Sequence, residues 1–131
     1  GHFRLPHDIA LDSRGRLLVA DRENSRIQVF SQEGQLLQIW NDVIRPTGIG
    51  IDKEGLVYVS EFCLRVTVFD EDGKSVTRWG NSSTARDEAL FLAPHAVAVD
   101  SHGDVYVGEV SKTYAGTDRG RDTIHKFCRA C

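Results

Sequence analysis

An eight-residue segment that recurs three times constrains this chain more than any other feature of its sequence. It reads LPHDIALD at residues 5–12, RPTGIGID at 45–52 and APHAVAVD at 93–100. The chain's three prolines all occupy the second position of this octad, and a glycine follows each proline nine residues later. Such a phased recurrence indicates a repeat architecture, in which each unit buries its core against its neighbours.

Each repeat contains short apolar or alternating segments separated by turn-like residues, a pattern typical of β-strands. After the octad, the first repeat predicts strands at 16–21, 26–30 and 36–40. The later repeats predict strands at 49–52, 56–60, 65–69, 75–79, 97–100, 104–108 and 123–127. Four short strands in about 40 residues favour one blade of a β-propeller over a helical repeat.

The repeats divide the chain without separating it into domains. We expect a single all-β domain over residues 1–131, with repeats at about 5–40, 45–80 and 93–131. The third repeat ends after its third strand and therefore lacks a fourth. Two insertions interrupt the pattern: residues 80–92, whose polar Asn81–Thr84 run predicts a surface loop, and residues 109–122. No segment has helical periodicity.

Charge and composition narrow the possible partners. The net charge is −3, with acidic and basic residues interspersed, which disfavours a nucleic-acid partner. No apolar run approaches the roughly 20 residues of a membrane span. No basic-then-apolar signal segment opens the chain, and its residues leave a secreted product, a cytosolic protein and part of a longer chain all open. The localisation is therefore unassigned.

Three cysteines, Cys63, Cys128 and Cys131, are too few for a four-thiolate zinc site. We interpret them as free or incidental, with a local disulfide or metal role at the Cys128–Cys131 pair as the alternative. Other recurring polar and aromatic positions have structural interpretations. Trp40 and Trp79, at equivalent places, should pack between blades. The aspartates that end the octads should cap turns; they are Asp12, Asp52 and Asp100.

The segments PHDIALD, GRLLVAD and RIQVF resemble the NHL repeat, and the resemblance covers nearly the whole chain. That family forms β-propellers, commonly of six blades, so three repeats imply half of a six-bladed ring. A narrower resemblance is to the peptidyl-α-hydroxyglycine α-amidating lyase family. It rests on LPH followed by ADRENSRIQVF, and on APH followed by VYVG.

The lyase resemblance implies specific site residues. That family cleaves peptidyl-α-hydroxyglycine to a peptide amide and glyoxylate, and it holds zinc with three axial histidines. His7 and His95 match two of them, and Arg22 matches a catalytic-site arginine. The third histidine, the catalytic tyrosine and a further arginine lie in blades without counterparts here. The family's calcium ligand after the last histidine is replaced by Ala96, so the resemblance does not support calcium.

The repeat geometry gives the two histidines an additional meaning. Neighbouring blades of a six-bladed ring are about 60° apart, so His7 and His95 should lie about 120° apart around the axis, with Thr47 on the blade between them. Three imidazoles with an open fourth position hold a catalytic zinc. The alternatives are that each histidine only bonds its loop and that Arg22 is a surface partner of Glu23 or Asp21. His102, in a turn, and His125, on a polar strand face, are expected to be structural.

These observations leave two classes of function. One is a zinc-dependent carbon–nitrogen lyase, or a half descended from one, with a peptide as ligand. The other is a non-catalytic NHL propeller that serves as a scaffold for a protein or other ligand. We expect the remaining blades to come from a longer chain or from a homodimer. A homodimer would not place its octad histidines trigonally, so we expect the isolated half to be inactive as a lyase. A sugar-lactone hydrolase would need axial carboxylates, where the octads offer His, Thr and Gly.

Overall fold

The computed structural model describes residues 2–80 and 90–130, and these form three antiparallel sheets in chain order. The first sheet contains β1 (Pro6–Leu11), β2 (Leu17–Asp21), β3 (Arg26–Phe30) and β4 (Leu36–Trp40). The second contains β5 (Pro46–Ile51), β6 (Val57–Glu61), β7 (Arg65–Phe69) and β8 (Ser75–Gly80). The third contains β9 (Pro94–Val99), β10 (Val105–Glu109) and β11 (Ile124–Phe127).

Each sheet is a meander in which consecutive strands pair. The all-β fold with three blades, the last of three strands within the described residues, is confirmed. The predicted surface loop at Asn81–Thr84 lies outside the described residues. The insertion at 109–122 differs from its prediction, because it contains the short helix α1 (Ser111–Ala115), followed by a 3₁₀ turn at Gly120–Thr123. In the part of the chain that the structure describes, no helix has the length and apolar character to cross a membrane.

The first strands of the second and third blades begin earlier than the sequence predicted. They start at Pro46 and Pro94, and not at residues 49 and 97. Proline has no N–H to donate to the ladder, so the first residue of a strand is a place where it is tolerated. A register irregularity follows directly, between Pro46 and Gly48. The proline and this bulge interrupt the alternation of apolar and polar residues, so the sequence does not reveal where the strand begins.

The first strands of successive blades lie side by side, as expected for the inner strands of a propeller. Asp8 on β1 accepts a hydrogen bond from the Ile49 N–H on β5, at 2.8 Å. Gly48 is required by the approach of β9, because a Cβ there would lie 2.9 Å from the carbonyl oxygen of His95 and 3.0 Å from the Ala96 Cα. The inner strands thus pack main chain against main chain.

Two apolar clusters fill the spaces between blades, one between the first and second and one between the second and third. Trp40 packs against Phe69 of the next blade with ring centroids 5.5 Å apart, and Trp79 meets Phe127 at the same distance. The predicted inter-blade role of both tryptophans is confirmed. Burial of such rings is the main stabilising contribution that neighbouring repeats make to one another.

The aspartate that ends each octad closes the turn behind it. The Asp52 Oδ1 accepts hydrogen bonds from the backbone N–H groups of Glu54 and Leu56, both at 2.9 Å. Asp12 and Asp100 accept the equivalent pairs in their own blades. The predicted capping role is confirmed, and His102 is exposed as expected.

Candidate functional site

One end of the three blades collects the residues that differ between repeats. The strand register places the octad prolines Pro6, Pro46 and Pro94 opposite the last residues of the second strands. The residue after each proline and the residue after each second strand therefore lie at the same end, which we call the mouth. The octad supplies His7, Thr47 and His95 there, and the second strands are followed by Arg22, Phe62 and Val110.

His7 and His95 meet at the mouth although they are two blades apart. Their ring centroids are 5.4 Å apart, with the rings in an edge-to-face arrangement. Thr47 turns away from this pair, because its hydroxyl contacts the Ser60 and Pro94 carbonyl oxygens at 3.0 and 3.1 Å. The structure thus brings the two predicted ligands together. Their binding to a metal stays a prediction.

The two ring nitrogens of His7 have different partners. Its Nε2 lies 2.8 Å from the Arg22 Nη1, and its Nδ1 lies 3.1 Å from the Leu5 carbonyl oxygen. A guanidinium can only donate, so Nε2 accepts and Nδ1–H donates to the carbonyl. The Nε2 lone pair of His7 is therefore engaged by Arg22.

Arg22 lies in the 3₁₀ turn Arg22–Asn24 that follows β2, and only 9% of its surface is exposed. Its Nε donates to the Glu23 carboxylate at 2.8 Å. The alternative interpretation of Arg22 as a surface ion-pair partner is therefore correct in the partner, Glu23. It is wrong in the location, because Arg22 is buried. Asp21 pairs with Arg26 instead, at 2.7 Å.

The environment of His95 favours its neutral form. Burial lowers the pKa of His95 below its ordinary value, and the proximity of His7 and Arg22 lowers it further. A neutral imidazole keeps the lone pair that metal ligation requires. The Asp8 side chain is less available, since its two oxygens accept the N–H groups of Ile9 and Ile49.

The mouth offers two imidazoles as potential metal ligands, and the His7 Nε2 is already in contact with Arg22. Across residues 2–80 and 90–130, no group of three or more His, Cys, Asp or Glu side chains is placed to hold a metal ion. His7 and His95 are the histidines that meet, and a third ligand would have to come from elsewhere. Cys63 and Cys128 are free, whereas the alternative disulfide partner Cys131 lies outside the described residues.

Three mouth residues were missed by the sequence analysis. The Arg45 guanidinium carbon lies 4.9 Å from the centre of the Phe62 ring, and Tyr114 meets Phe62 edge-on at 5.1 Å. Repeat alignment could have identified Phe62, since it occupies the place of Arg22 in the second blade. Tyr114 lies in α1, inside an insertion, and no repeat position corresponds to it.

A buried carboxylate beneath the mouth was also missed. The Glu61 side chain is fully buried, and it accepts a hydrogen bond from the Ile44 N–H at 2.5 Å and pairs with Arg65 at 3.0 Å. Thr67 donates to it as well. The same arrangement recurs in the other blades, where Asp21 accepts the Arg4 N–H at 2.7 Å and Glu109 accepts the Leu92 N–H at 2.6 Å.

His125 belongs to this buried arrangement. It takes the place of Thr67 and Gln28, and its Nε2 lies 3.5 Å from the Glu109 carboxylate without a hydrogen bond. Its ring meets Phe91 edge-on at 5.4 Å. These contacts are consistent with the structural role predicted from its strand position.

Comparison with known proteins shows which sequences this chain resembles. Residues 3–30 match the family model described as NHL repeat. The chain is similar to human NHL repeat-containing protein 3, with 49% identity over 117 residues, which is 82% of this chain and 33% of that protein. It is also similar to rat peptidylglycine alpha-amidating monooxygenase, with 30% identity over 119 residues, covering 78% of this chain and 12% of that protein.

Solved structures agree on the fold. A structure described as streptogramin B lyase superposes with a TM-score of 0.66 at 18% identity, covering 96% of this chain and 41% of its own. A gluconolactonase from Xanthomonas campestris gives 0.67 at 15% identity, covering 82% of this chain and 36% of its own. Such identities establish the fold alone, and these coverages are near the half ring expected from three blades.

The three sheets form an all-β, β-propeller-like architecture, and the first of them lies largely within the segment that matches the NHL repeat model, residues 3–30. The chain's sequence is related to NHL repeat-containing protein 3 and to the amidating monooxygenase. It spans about a third of the first relative and about an eighth of the second.

Proposed function

We propose that this chain supplies part of a zinc-dependent lyase site of the peptidyl-α-hydroxyglycine amidating type. His7 and His95 would be two of three zinc ligands, and Arg22 would be the catalytic-site arginine. The observation that carries the proposal is the meeting of the two imidazoles at the mouth, 5.4 Å apart, with Arg22 in contact with His7. The similarity to the amidating monooxygenase supports it.

In such a reaction the bond between the amide nitrogen and the hydroxylated carbon breaks, and the hydroxyl proton is transferred to that nitrogen. The products are a peptide amide and glyoxylate, with no net oxidation or reduction. A zinc ion held by imidazoles would act as a Lewis acid toward the substrate's oxygen. His95 is suited to ligation by its lowered pKa. Calcium is not part of the proposal, because Ala96 offers no ligand.

The role of Arg22 follows from its charge and burial. A guanidinium stays protonated and donates from a fixed plane, which suits it to hold an anionic group of the substrate. Its Nε and Nη1 are engaged by Glu23 and His7, while its Nη2 makes no hydrogen bond to any described residue. This nitrogen is the donor that we assign to the substrate.

The site also requires blades beyond the three described here. Ile9 and Leu11 on β1 are 61% and 60% exposed, on the face that would meet a preceding blade. We propose that further blades of a longer chain, or a second copy, cover this face. With a second copy the octad histidines would not be trigonal, so we expect little lyase activity from a dimer of this chain.

One observation favours a second candidate, a non-catalytic propeller that acts as a binding scaffold. The His7 Nε2 lone pair is already satisfied by Arg22, so ligation through that nitrogen requires this 2.8 Å contact to open. A scaffold would keep the contact as a structural bond. The two candidates differ in whether metal is bound.

Metal analysis of the purified protein with its ring completed by the further blades, and with its mass measured in solution, tests the proposal. We expect stoichiometric zinc that is lost in both His7→Ala and His95→Ala, because each removes one ligand of a set. His102→Ala is the matched control, since His102 is exposed in a distant turn and should leave zinc unchanged. Intact folding without metal in the native protein would reject the lyase proposal and support the scaffold.

A further inference from the structure

We propose that Arg45, Phe62 and Tyr114 form a recognition subsite for a peptide end that carries a carboxylate and an aromatic side chain. We call these three residues the mouth shelf. The inference deepens the proposed function, because the shelf adjoins the His7–His95 pair through Arg22. Its contacts with a peptide need no metal, so it can be tested separately.

The aromatic part of the shelf is built from two elements. Phe62 follows β6 in a turn closed by the Leu64 N–H bonding to the Glu61 carbonyl oxygen at 3.0 Å, with Leu64 at a φ of 73°. Tyr114 is supplied by α1, and its N–H bonds to the Val110 carbonyl oxygen at 3.2 Å. Because Tyr114 is 55% exposed while touching Phe62, one aromatic surface remains available to a ligand.

The cationic part of the shelf lies on the other side of Phe62. The Nε and Nη2 of Arg45 both donate to one oxygen of Glu23, at 3.3 and 2.9 Å. Its Nη1 makes no hydrogen bond within the described part of the chain, and the side chain is 43% exposed. This nitrogen is therefore free to donate to an anion while the guanidinium stays over the ring.

The charges at this place favour an anion over a cation. Arg22 and Arg45 share the single Glu23 carboxylate, which leaves one positive charge in excess. The nearby Lys112–Asp118 pair is mutually neutral, with the two groups 3.6 Å apart. A carboxylate that accepts from a guanidinium makes a charge-assisted hydrogen bond, stronger than a neutral one.

The spacing of the two parts selects the ligand. Phe62 lies about 5 Å from both the Arg45 guanidinium and the Tyr114 ring. Neighbouring residues of a peptide are about 3.8 Å apart at their Cα atoms, so a carboxylate and a penultimate aromatic side chain can reach both parts together. A cation would be repelled by the two arginines, and an uncharged apolar group would leave the guanidinium unused.

Calorimetric titration of the full chain in EDTA tests the subsite with three peptide probes and one probe that has no peptide bond. N-acetyl-Phe-Gly should bind about tenfold more tightly than N-acetyl-Ala-Gly, which lacks the ring, or N-acetyl-Phe-Gly amide, which lacks the carboxylate. 3-Phenylpropionate has the ring and the acid without a peptide bond, and it should bind more weakly than N-acetyl-Phe-Gly. Equal affinity for the three peptide probes would overturn the proposal. Equal or tighter binding of 3-phenylpropionate would overturn the assignment to a peptide.

Variants locate the effect. Tyr114→Ala should weaken N-acetyl-Phe-Gly binding about fivefold and Tyr114→Phe should not, because the ring alone is required. Arg45→Gln should remove the preference for the acid over the amide. Thr113→Ala, on the same helix, is the matched control and should have no effect, because the Thr113 side chain is exposed and uncharged. If Tyr114→Ala unfolds at the same temperature as the native protein and binds N-acetyl-Phe-Gly equally well, the subsite proposal is contradicted.

These results are separable from the lyase proposal. Zinc loss in the histidine variants with no preference among the probes would reject the shelf alone. Ring- and acid-dependent binding by a protein that holds no zinc would reject the lyase and retain the shelf.

Discussion

The two ends of the blades are built from the same repeat but behave differently. At the turn end, the octad aspartate is the same residue in all three blades, and each accepts two backbone N–H groups of its turn. At the mouth, equivalent positions hold His, Thr and His, or Arg, Phe and Val. A residue whose side chain accepts backbone hydrogen bonds is repeated in every blade. A residue without such bonds differs from blade to blade.

The buried carboxylates show that a residue recurs when it bonds the backbone, whichever end of the blade it occupies. Asp21, Glu61 and Glu109 lie beneath the mouth, yet each accepts the backbone N–H of the segment that leads into its blade. Their arginine partners vary, since Glu61 uses Arg65 from β7 and Glu109 uses Arg119 from the insertion. The bond to the backbone N–H is therefore present in all three blades, whereas the arginine of the ion pair comes from different elements.

The largest effect should come from removing one of these carboxylates. We expect Glu61→Ala to lower the free energy of unfolding by about 3–5 kcal/mol, because it leaves the Arg65 charge and the Ile44 N–H without their buried partner. Urea denaturation measures the loss. Glu61→Gln, which keeps an acceptor, is the control and should cost less. A loss below 1 kcal/mol in Glu61→Ala would show that the mouth does not depend on this carboxylate.

A smaller effect is expected at the turn end. Asp52→Ala should lower the free energy of unfolding by about 2 kcal/mol, because it removes two bonds to backbone N–H groups in addition to the Tyr58 hydroxyl bond. Tyr58→Phe removes only the last of these bonds and should cost about 1 kcal/mol. Equal losses in the two variants, by the same urea measurement, would mean that the backbone bonds contribute nothing.

The smallest effect is a difference in thiol reactivity between the ends. Burial, with the Glu61 charge beside it, raises the pKa of Cys63 at the mouth to about 11. Cys128 is exposed at the end of β11. At pH 8 the thiolate fraction of Cys63 should be about two orders of magnitude below that of an ordinary cysteine. Mass spectrometry of iodoacetamide-treated Cys131→Ser protein should therefore find Cys128 modified first, and prior reaction at Cys63 would refute the assigned environment.

Much of the fold was predictable from the sequence because each blade repeats a local pattern. The bounds of β3, β4 and β7 agree with those predicted, since clear alternation lies between turn residues. The first strands were set too late in two blades because proline conceals the start of the ladder. The helix α1 was missed because five residues are too few to display helical periodicity.

The candidate site was less predictable. His7, His95 and Arg22 were selected by resemblance, and the structure places them together at the mouth. Phe62 and Tyr114 were missed because their contact joins the second blade to an insertion in the third, and no local pattern records such a contact. The buried carboxylates were missed for a related reason, since their partners are backbone groups that carry no sequence signature.

The glycine at position 48 has a consequence for protein engineering. Because its missing side chain lets β5 touch the main chain of β9 at His95, the close approach of these two inner strands would be disturbed by any larger residue at position 48. His7 and His95, which meet at the mouth, are carried by inner strands that pack through their main chains. Other donors, such as aspartate or cysteine, can be installed at residues 7 and 95 to vary the chemistry of the mouth, whereas Thr47 is buried and bonded to the Ser60 and Pro94 carbonyl oxygens.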